Sequence, residues 1–282
     1  MEASELITTS AVLVAAVLHA GWNALAKHDA DRTTLLARSS LVGMVLAVAG
    51  LLVVAAPAAA SWPWLAGSIV LHVAYNAGLL WAYHVGDFNQ TYPLARGVGP
   101  LVVAAFATLV LNEPLAAPAT VGVVVIAVSI GVLGFTPWHR VRANRPVVVA
   151  AVLTGLAIAT YTILDGVGVR RSGSSAGYTL WLVGMQALLT IAGLRLWRRR
   201  SVPRGSSGWW AAVAVAAMSA AAYGLVLWAQ TRGALAAVAA LRETSVIVAA
   251  LIGMLFFKEP MGRVRIVASV AVAGGVILLS AF

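Results

Sequence analysis

The chain has 282 residues, 61% of them hydrophobic and only 10% charged, with a mean hydropathy of +0.94. Soluble domains average about 25% charged residues, so this composition excludes an ordinary water-soluble globule. A net charge of +10 would suggest nucleic acid in a soluble chain, but here the basic residues sit in short connections between apolar runs, as membrane topology requires, and the lack of cysteine excludes disulfides and thiolate chemistry.

The apolar runs reach the roughly 20 residues that carry a helix across a bilayer. They lack the period-two alternation of barrel strands, so helices are expected. Ten spans are predicted. The first five run over Ile7–Ala26, Thr34–Ala55, Trp62–Val85, Thr91–Leu111 and Ala116–Phe135. The second five run over Pro146–Val169, Ala176–Trp197, Gly208–Gln230, Ala234–Phe257 and Gly262–Ala281. The first run follows Glu2 and Glu5 rather than a basic segment and reads as a retained helix, not a cleaved leader. Prolines 57, 63, 114, 118, 137, 203 and 260 fall at or near the breaks, where they cost little. No connection is long enough for a soluble domain. Trp62, Trp64, Trp138, Trp197, Trp209 and Trp210 fall at predicted interfaces, as an aromatic belt would.

Loop charge sets orientation. The loops after spans one, three, five, seven and nine hold most of the basic residues, including Lys27, Arg140, Arg142, Arg145, Arg198, Lys258 and Arg263. The opposite side has only Arg170, Arg171 and Arg232. The basic side is therefore expected in the cytoplasm of a plasma (inner) membrane, with both termini outside.

One pattern occurs twice. Tyr92-Pro93-Leu94-Ala95-Arg96-Gly97 leads through an apolar run to Asn112-Glu113-Pro114, and Ala240-Leu241-Arg242-Glu243-Thr244 leads through another to Lys258-Glu259-Pro260. The arginines lie 242 − 96 = 146 residues apart, and so do the glutamates, 259 − 113 = 146. Leu80-Trp81-Ala82 with Gly86 answers Leu227-Trp228-Ala229 with Gly233 at an offset of 147. The expected halves are residues 1–138 and 139–282. Five spans per half is odd, so the second must be inverted relative to the first, an architecture that places a site near the midplane.

"YPLARGVGPLVVAAFATLVLNEP" and "LRETSVIVAALIGMLFFKEP" resemble the fourth and ninth helices of the EamA-like, ten-helix branch of the drug/metabolite transporter superfamily. The resemblance covers the whole chain. It implies a secondary transporter or exporter of small metabolites, with a central cavity lined mainly by helices three, four, eight and nine. Members of that branch often keep both termini in the cytoplasm; the loop charge here points the other way.

Charge inside a span needs a reason, and Arg96 and Arg242 are the leading candidates for substrate binding. Entering from opposite faces, they converge axially toward mid-bilayer, where a guanidinium fork suits a carboxylate, phosphate or phosphonate. Glu243, the acidic residue well inside a span, reads either as carrier of a coupling proton or as a permanent counter-ion to an arginine. Pro93, Gly97 and Pro100 surround Arg96 and are expected to kink span four, as a hinge or as a packing device. His72, Tyr75, Asn76 and Tyr83 form a polar stripe on span three, with Tyr223, Trp228 and Gln230 in the comparable region of span eight. Asn23 lies one turn from His19 in span one, and Tyr161 and Thr162 lie in span six. These stripes serve as interhelical contacts or line the cavity. Asp165 reads as a surface pair with Arg170 or Arg171, Glu113 and Glu259 as helix-end residues, and Arg38 as a snorkelling side chain. Spans five and ten carry almost no polar residues and should face lipid or another protomer, with Ala271 and Gly275 permitting close helix contact.

The expected function is a secondary transporter, an exporter or exchanger, of a small anionic or zwitterionic metabolite by alternating access. A phosphonate or organophosphate permease is the alternative within transport. An intramembrane enzyme on a lipid-linked substrate is the alternative of another class, although no nucleophile-base pair, metal cluster or phosphate loop is legible. No cofactor, metal or nucleic acid is expected. Membrane lipid is an expected partner, and a coupling proton or counter-substrate and a second copy of the chain stay open.

Overall fold

The computed structural model describes residues 3–29, 31–85, 88–134, 145–198, 208–258 and 262–280. Within them the chain is helical, with no strand. The helices are α1 (Ala3–His28), α2 (Arg32–Leu51), α3 (Trp62–Val85), α4 (Phe88–Leu109), α5 (Ala117–Gly134), α6 (Arg145–Arg170), α7 (Ser175–Arg198), α8 (Trp209–Gln230), α9 (Leu235–Arg242), α10 (Ser245–Phe257) and α11 (Arg263–Ser280). Six stretches are long and apolar enough to cross a bilayer: Ala3–Lys27, Arg32–Leu51, Val148–Arg170, Ser175–Arg195, Trp209–Gln230 and Leu235–Phe256. The predicted spans fall on these helices within a few residues, with one difference of substance: the ninth is two helices, α9 and α10.

Solvent preference is reversed from that of a soluble protein. Helix α5 exposes Val121, Val124, Val128 and Val132 along one side while burying Val123, Ile126, Ala127 and Ile130. Helix α11 likewise exposes Ile266, Val267, Val270 and Ile277. Apolar stripes left on the outside are what hydrocarbon as solvent allows.

Spans five and ten, expected to face lipid or another protomer, pack against each other, with Gly275 at the contact. A Cβ on Gly122 would meet the Gly275 carbonyl oxygen at 2.6 Å, and one on Gly275 would meet the Gly122 carbonyl oxygen at 2.9 Å. The backbones of α5 and α11 therefore touch where both lack a side chain. The other long pairings are α3 with α6, α4 with α6, α4 with α5, α1 with α8 and α2 with α7. Asn112 (φ 53°) and Lys258 (φ 52°) take the left-handed conformation. Each immediately precedes a Glu-Pro pair, and the two lie 258 − 112 = 146 residues apart.

Helix α9 sits at the centre. It packs against α1, α4, α5, α6, α8 and α11, and Leu235, Ala236, Val238, Ala239, Ala240, Leu241 and Arg242 are all buried. A helix buried on every side must be small-residue rich, and its four alanines meet that need.

Replacing Gly122 with Val is expected to lower the thermal unfolding midpoint in detergent, since overpacking costs about 1–3 kcal/mol. Gly274→Ala, whose new Cβ meets open space, should leave the midpoint unchanged or raise it.

Candidate functional site

The site forms where the ninth span breaks. After Arg242 the hydrogen bonds tighten to three-residue turns: Glu243 N–H donates to the Ala240 carbonyl at 3.0 Å, Thr244 N–H to Leu241 at 3.1 Å and Val246 N–H to Glu243 at 3.0 Å. The Thr244 hydroxyl also donates to the Leu241 carbonyl at 2.8 Å, competing with the backbone for that acceptor. Successive helix positions point about 100° apart, so four polar residues in a row, Arg242 to Ser245, cannot all face one cavity on a straight helix. The break lets all four be buried at once. A mid-helix stretch of tight turns of this kind is a frequent hinge.

Arg96 reaches the break from α4. Its Nε donates to Glu243 Oε2 at 2.8 Å and its Nη2 to Ser245 Oγ at 3.2 Å, with Arg96 and Glu243 only 4% and 2% exposed. Of the two readings of Glu243, the structure realises the counter-ion, and its partner is Arg96 rather than adjacent Arg242. Arg242 is differently placed. Its Nε is buried with no hydrogen-bond partner among the described residues, and it lines a small pocket with Glu243, Ala239, Gly99, Pro100, Val103, Ile158, Ala159 and Thr162. The pocket has room for about one water molecule. Thr162 Oγ1 is also buried there without a partner among the described residues. The pocket walls are α4, α6 and α9. The sixth span thus supplies a wall that the expected set of helices three, four, eight and nine does not include.

Beside the pocket lies an aromatic cluster. His72 stacks on Tyr161 with ring centroids 3.9 Å apart and meets Tyr223 edge-on at 5.9 Å, and Tyr75 meets Tyr161 at 5.8 Å. Four predicted residues from the third, sixth and eighth spans are therefore brought together. Other predicted residues stand apart from the pocket. Trp228 carries the Arg232 guanidinium 4.6 Å over its ring, and Asn23 Nδ2 donates to the His19 carbonyl of its own helix at 2.7 Å. Asn76, Tyr83 and Pro93 belong to α3 and α4, and their side chains lie outside the described residues. Glu259 also lies outside them.

The hinge expected at Gly97 and Pro100 is not where a helix breaks. Helix α4 runs on through both. A Cβ on Gly97 would meet the Gly131 backbone N at 2.9 Å, so this glycine admits α5, the packing alternative. Pro100 lines the pocket instead.

Asp165 is not a surface residue. It is 0% exposed and pairs with neither Arg170 nor Arg171; Tyr178 Oη donates to its Oδ1 at 3.0 Å and Tyr223 Oη donates to its Oδ2. Its position near a span end misled the sequence reading, because α6 extends only a little beyond it but is covered there by α3, α7 and α8. Arg170 is engaged elsewhere: both terminal nitrogens bond Glu113, Nε donates to the Gln230 carbonyl at 2.7 Å and Nη2 to the Gly233 carbonyl at 2.9 Å. Glu113 in turn accepts from Leu235 N–H at 3.2 Å, the first residue of α9. A carboxylate at a helix start and a guanidinium on helix-end carbonyls both suit the local dipoles. Arg171 lies 4.8 Å over the ring of Trp64, and Arg38, which was expected to snorkel, 5.0 Å over that of Trp209.

Residues 145–281 match the model of the EamA-like transporter family. This half of the chain is an EamA-like domain of the drug/metabolite transporter superfamily. No curated protein matches the chain. A crystal structure of a protein 18% identical superposes with a TM-score of 0.73, covering 99% of this chain and 97% of that one, which establishes a common fold along the whole length. The EamA-like domain thus contains Asp165, Arg242, Glu243 and Ser245, while Arg96 reaches into it from the first half.

Breaking that cross-contact should be costly. Glu243→Ala leaves a buried guanidinium unpaired, and removing one partner of such a pair costs about 3–5 kcal/mol. Arg96→Met combined with Glu243→Leu is expected to recover most of the stability lost by either single variant, measured as the unfolding midpoint in detergent.

Proposed function

We propose that the protein is a secondary transporter that moves a small anionic or zwitterionic metabolite by alternating access, binding it at the break in the ninth span. The observation that carries this reading is the buried Arg242 guanidinium, whose Nε has no partner among the described residues while it lines the pocket. An unsatisfied buried donor on a charged group is expensive, and a ligand carboxylate removes that cost. Arg96 is balanced by Glu243, so one positive charge is left for the ligand, which favours a single anionic group. A discontinuous helix at mid-membrane is a recurrent way of presenting a charged substrate with backbone dipoles. The family of residues 145–281 supports transport as the class of activity.

The two halves, residues 1–138 and 139–282, act in this proposal as inverted repeats that rock about the site. Three observations support it. The arginines repeat at 146 residues, the left-handed residues Asn112 and Lys258 repeat at the same interval, and the pairs α1–α8 and α3–α6 exchange with each other when span one is matched to span six and span three to span eight. The basic loops are assigned to the cytoplasm and the termini to the outside, on charge, and export or exchange is the assigned mode.

The test is uptake into proteoliposomes preloaded with unlabelled alanine, succinate or phosphonoacetate, with the labelled form of each outside. The wild type is expected to exchange at least one. Arg242→Ala should weaken apparent affinity by roughly 30-fold or more, since losing one member of a buried charge contact costs about 2–5 kcal/mol. Equal exchange by Arg242→Ala and wild type, at equal membrane abundance, would defeat the assignment.

A further inference from the structure

Two buried carboxyl groups lie in the membrane-spanning core, and they are held in opposite ways. Glu243 is clamped by the Arg96 guanidinium, Nε to Oε2 at 2.8 Å. Asp165 is equally buried but touches no guanidinium or ammonium group among the described residues. Its oxygens face hydroxyl groups: Tyr178 from α7, Tyr223 from α8 and Ser68 from α3. The remaining titratable and charged groups around it are His72 on α3, Tyr161 on α6 itself and Arg242 on α9, which acts through space without contact. Helix α4 brings Arg96, already committed to Glu243.

A hydroxyl can both donate and accept, whereas a guanidinium can only donate. The Asp165 carboxylate accepts from the Tyr178 and Tyr223 hydroxyls, with the Ser68 hydroxyl beside it; the neutral acid can donate to one of them while still accepting from another. Both protonation states can therefore be satisfied without moving a helix. A bound metal cation would need lone pairs converging on one point, and these neighbours offer protons to the carboxylate instead. The surroundings also provide a relay. His72 Nδ1 lies 2.9 Å from the Ser68 carbonyl and 3.2 Å from Ser68 Oγ, and the Ser68 hydroxyl sits beside Asp165. Asp165 is one turn along α6 from Thr162, whose hydroxyl lines the Arg242 pocket. Protonation state and pocket shape are thus carried by the same helix.

We propose that Asp165, in its cage of Tyr178, Tyr223 and Ser68, is the carboxyl group through which the protein binds and releases a coupling proton. A proton taken from water on one face converts the carboxylate to the neutral acid, and its return to water on the other face restores the anion, with no other reactant consumed. The proposal rests on the transporter reading above and supplies its driving ion.

Infrared difference spectra of the lipid-reconstituted protein, recorded through a pH titration, test the site without any substrate. A carboxylic acid C=O band that grows as pH falls and shifts in deuterated water is expected in the wild type. The same band should persist in Glu243→Gln, vanish in Asp165→Asn and return in Asp165→Glu. Persistence of the band in Asp165→Asn, or its absence from the wild type, overturns the proposal. The coupling role is read in the alanine, succinate and phosphonoacetate exchange assay as the ratio of flux with an about tenfold proton gradient to flux without one, up to about tenfold for one proton per cycle. That ratio should fall to one in Asp165→Asn and rise again in Asp165→Glu; a wild-type ratio in Asp165→Asn refutes coupling at this residue. If none of the three compounds moves in the wild type, the substrate reading fails while the infrared band still decides whether Asp165 binds the proton.

Discussion

The ion pair between Arg96 and Glu243 joins residues 147 positions apart, both almost wholly buried. Such a pair does not stabilise a fold by much, because removing two charges from water offsets most of their attraction. Its effect here is to dictate geometry. Glu243 meets Arg96 while adjacent Arg242 lines the pocket, and the tight turns that follow bring Ser245 to the same guanidinium. Ser245 adds a second bond to the same guanidinium, so the start of α10 is held to α4 by two contacts. The pair also settles the electrostatics: it cancels one of the two central positive charges and leaves the other facing the pocket.

Around this pair the polar groups are sorted by chemistry. Charged partners meet at the break, while hydroxyl and imidazole groups gather further along α6 around Asp165 and Tyr161. Helix α6 belongs to both regions, with Ile158, Ala159 and Thr162 in the pocket wall and Asp165 in the hydroxyl cage. A small rotation or slide of this helix would alter both together. The aliphatic remainder supplies close packing, from the alanine-rich α9 at the centre to the glycine contact between α5 and α11.

Much of this was legible in the chain itself. Helices longer than a bilayer is thick announce themselves by hydropathy alone, and the doubled arginine and Glu-Pro signals identified the ninth span and both central guanidinium groups. What periodicity could not supply was partner choice. Glu243 is adjacent to Arg242 in sequence, yet bonds Arg96, because adjacent side chains diverge around a helix. The break in span nine has no proline or glycine to mark it; its signal is four successive polar residues, Arg242 to Ser245, of which Arg242 and Glu243 are expected ligands. Asp165 was misjudged for a related reason. Depth along a helix was taken as a guide to exposure, but the ends of α7 and α8 rise high enough to enclose it. Pro100 lies in the middle of α4 and lines the pocket, and α4 runs on through it.

Glu113 and Arg170 tie together the end of α4, the end of α6, the last carbonyls of α8 and the first amide of α9. Four chain segments thus converge on one carboxylate and one guanidinium, and none can leave without orphaning bonds made by the others. The four segments are thereby mechanically coupled on this face, through contacts that span both halves of the chain.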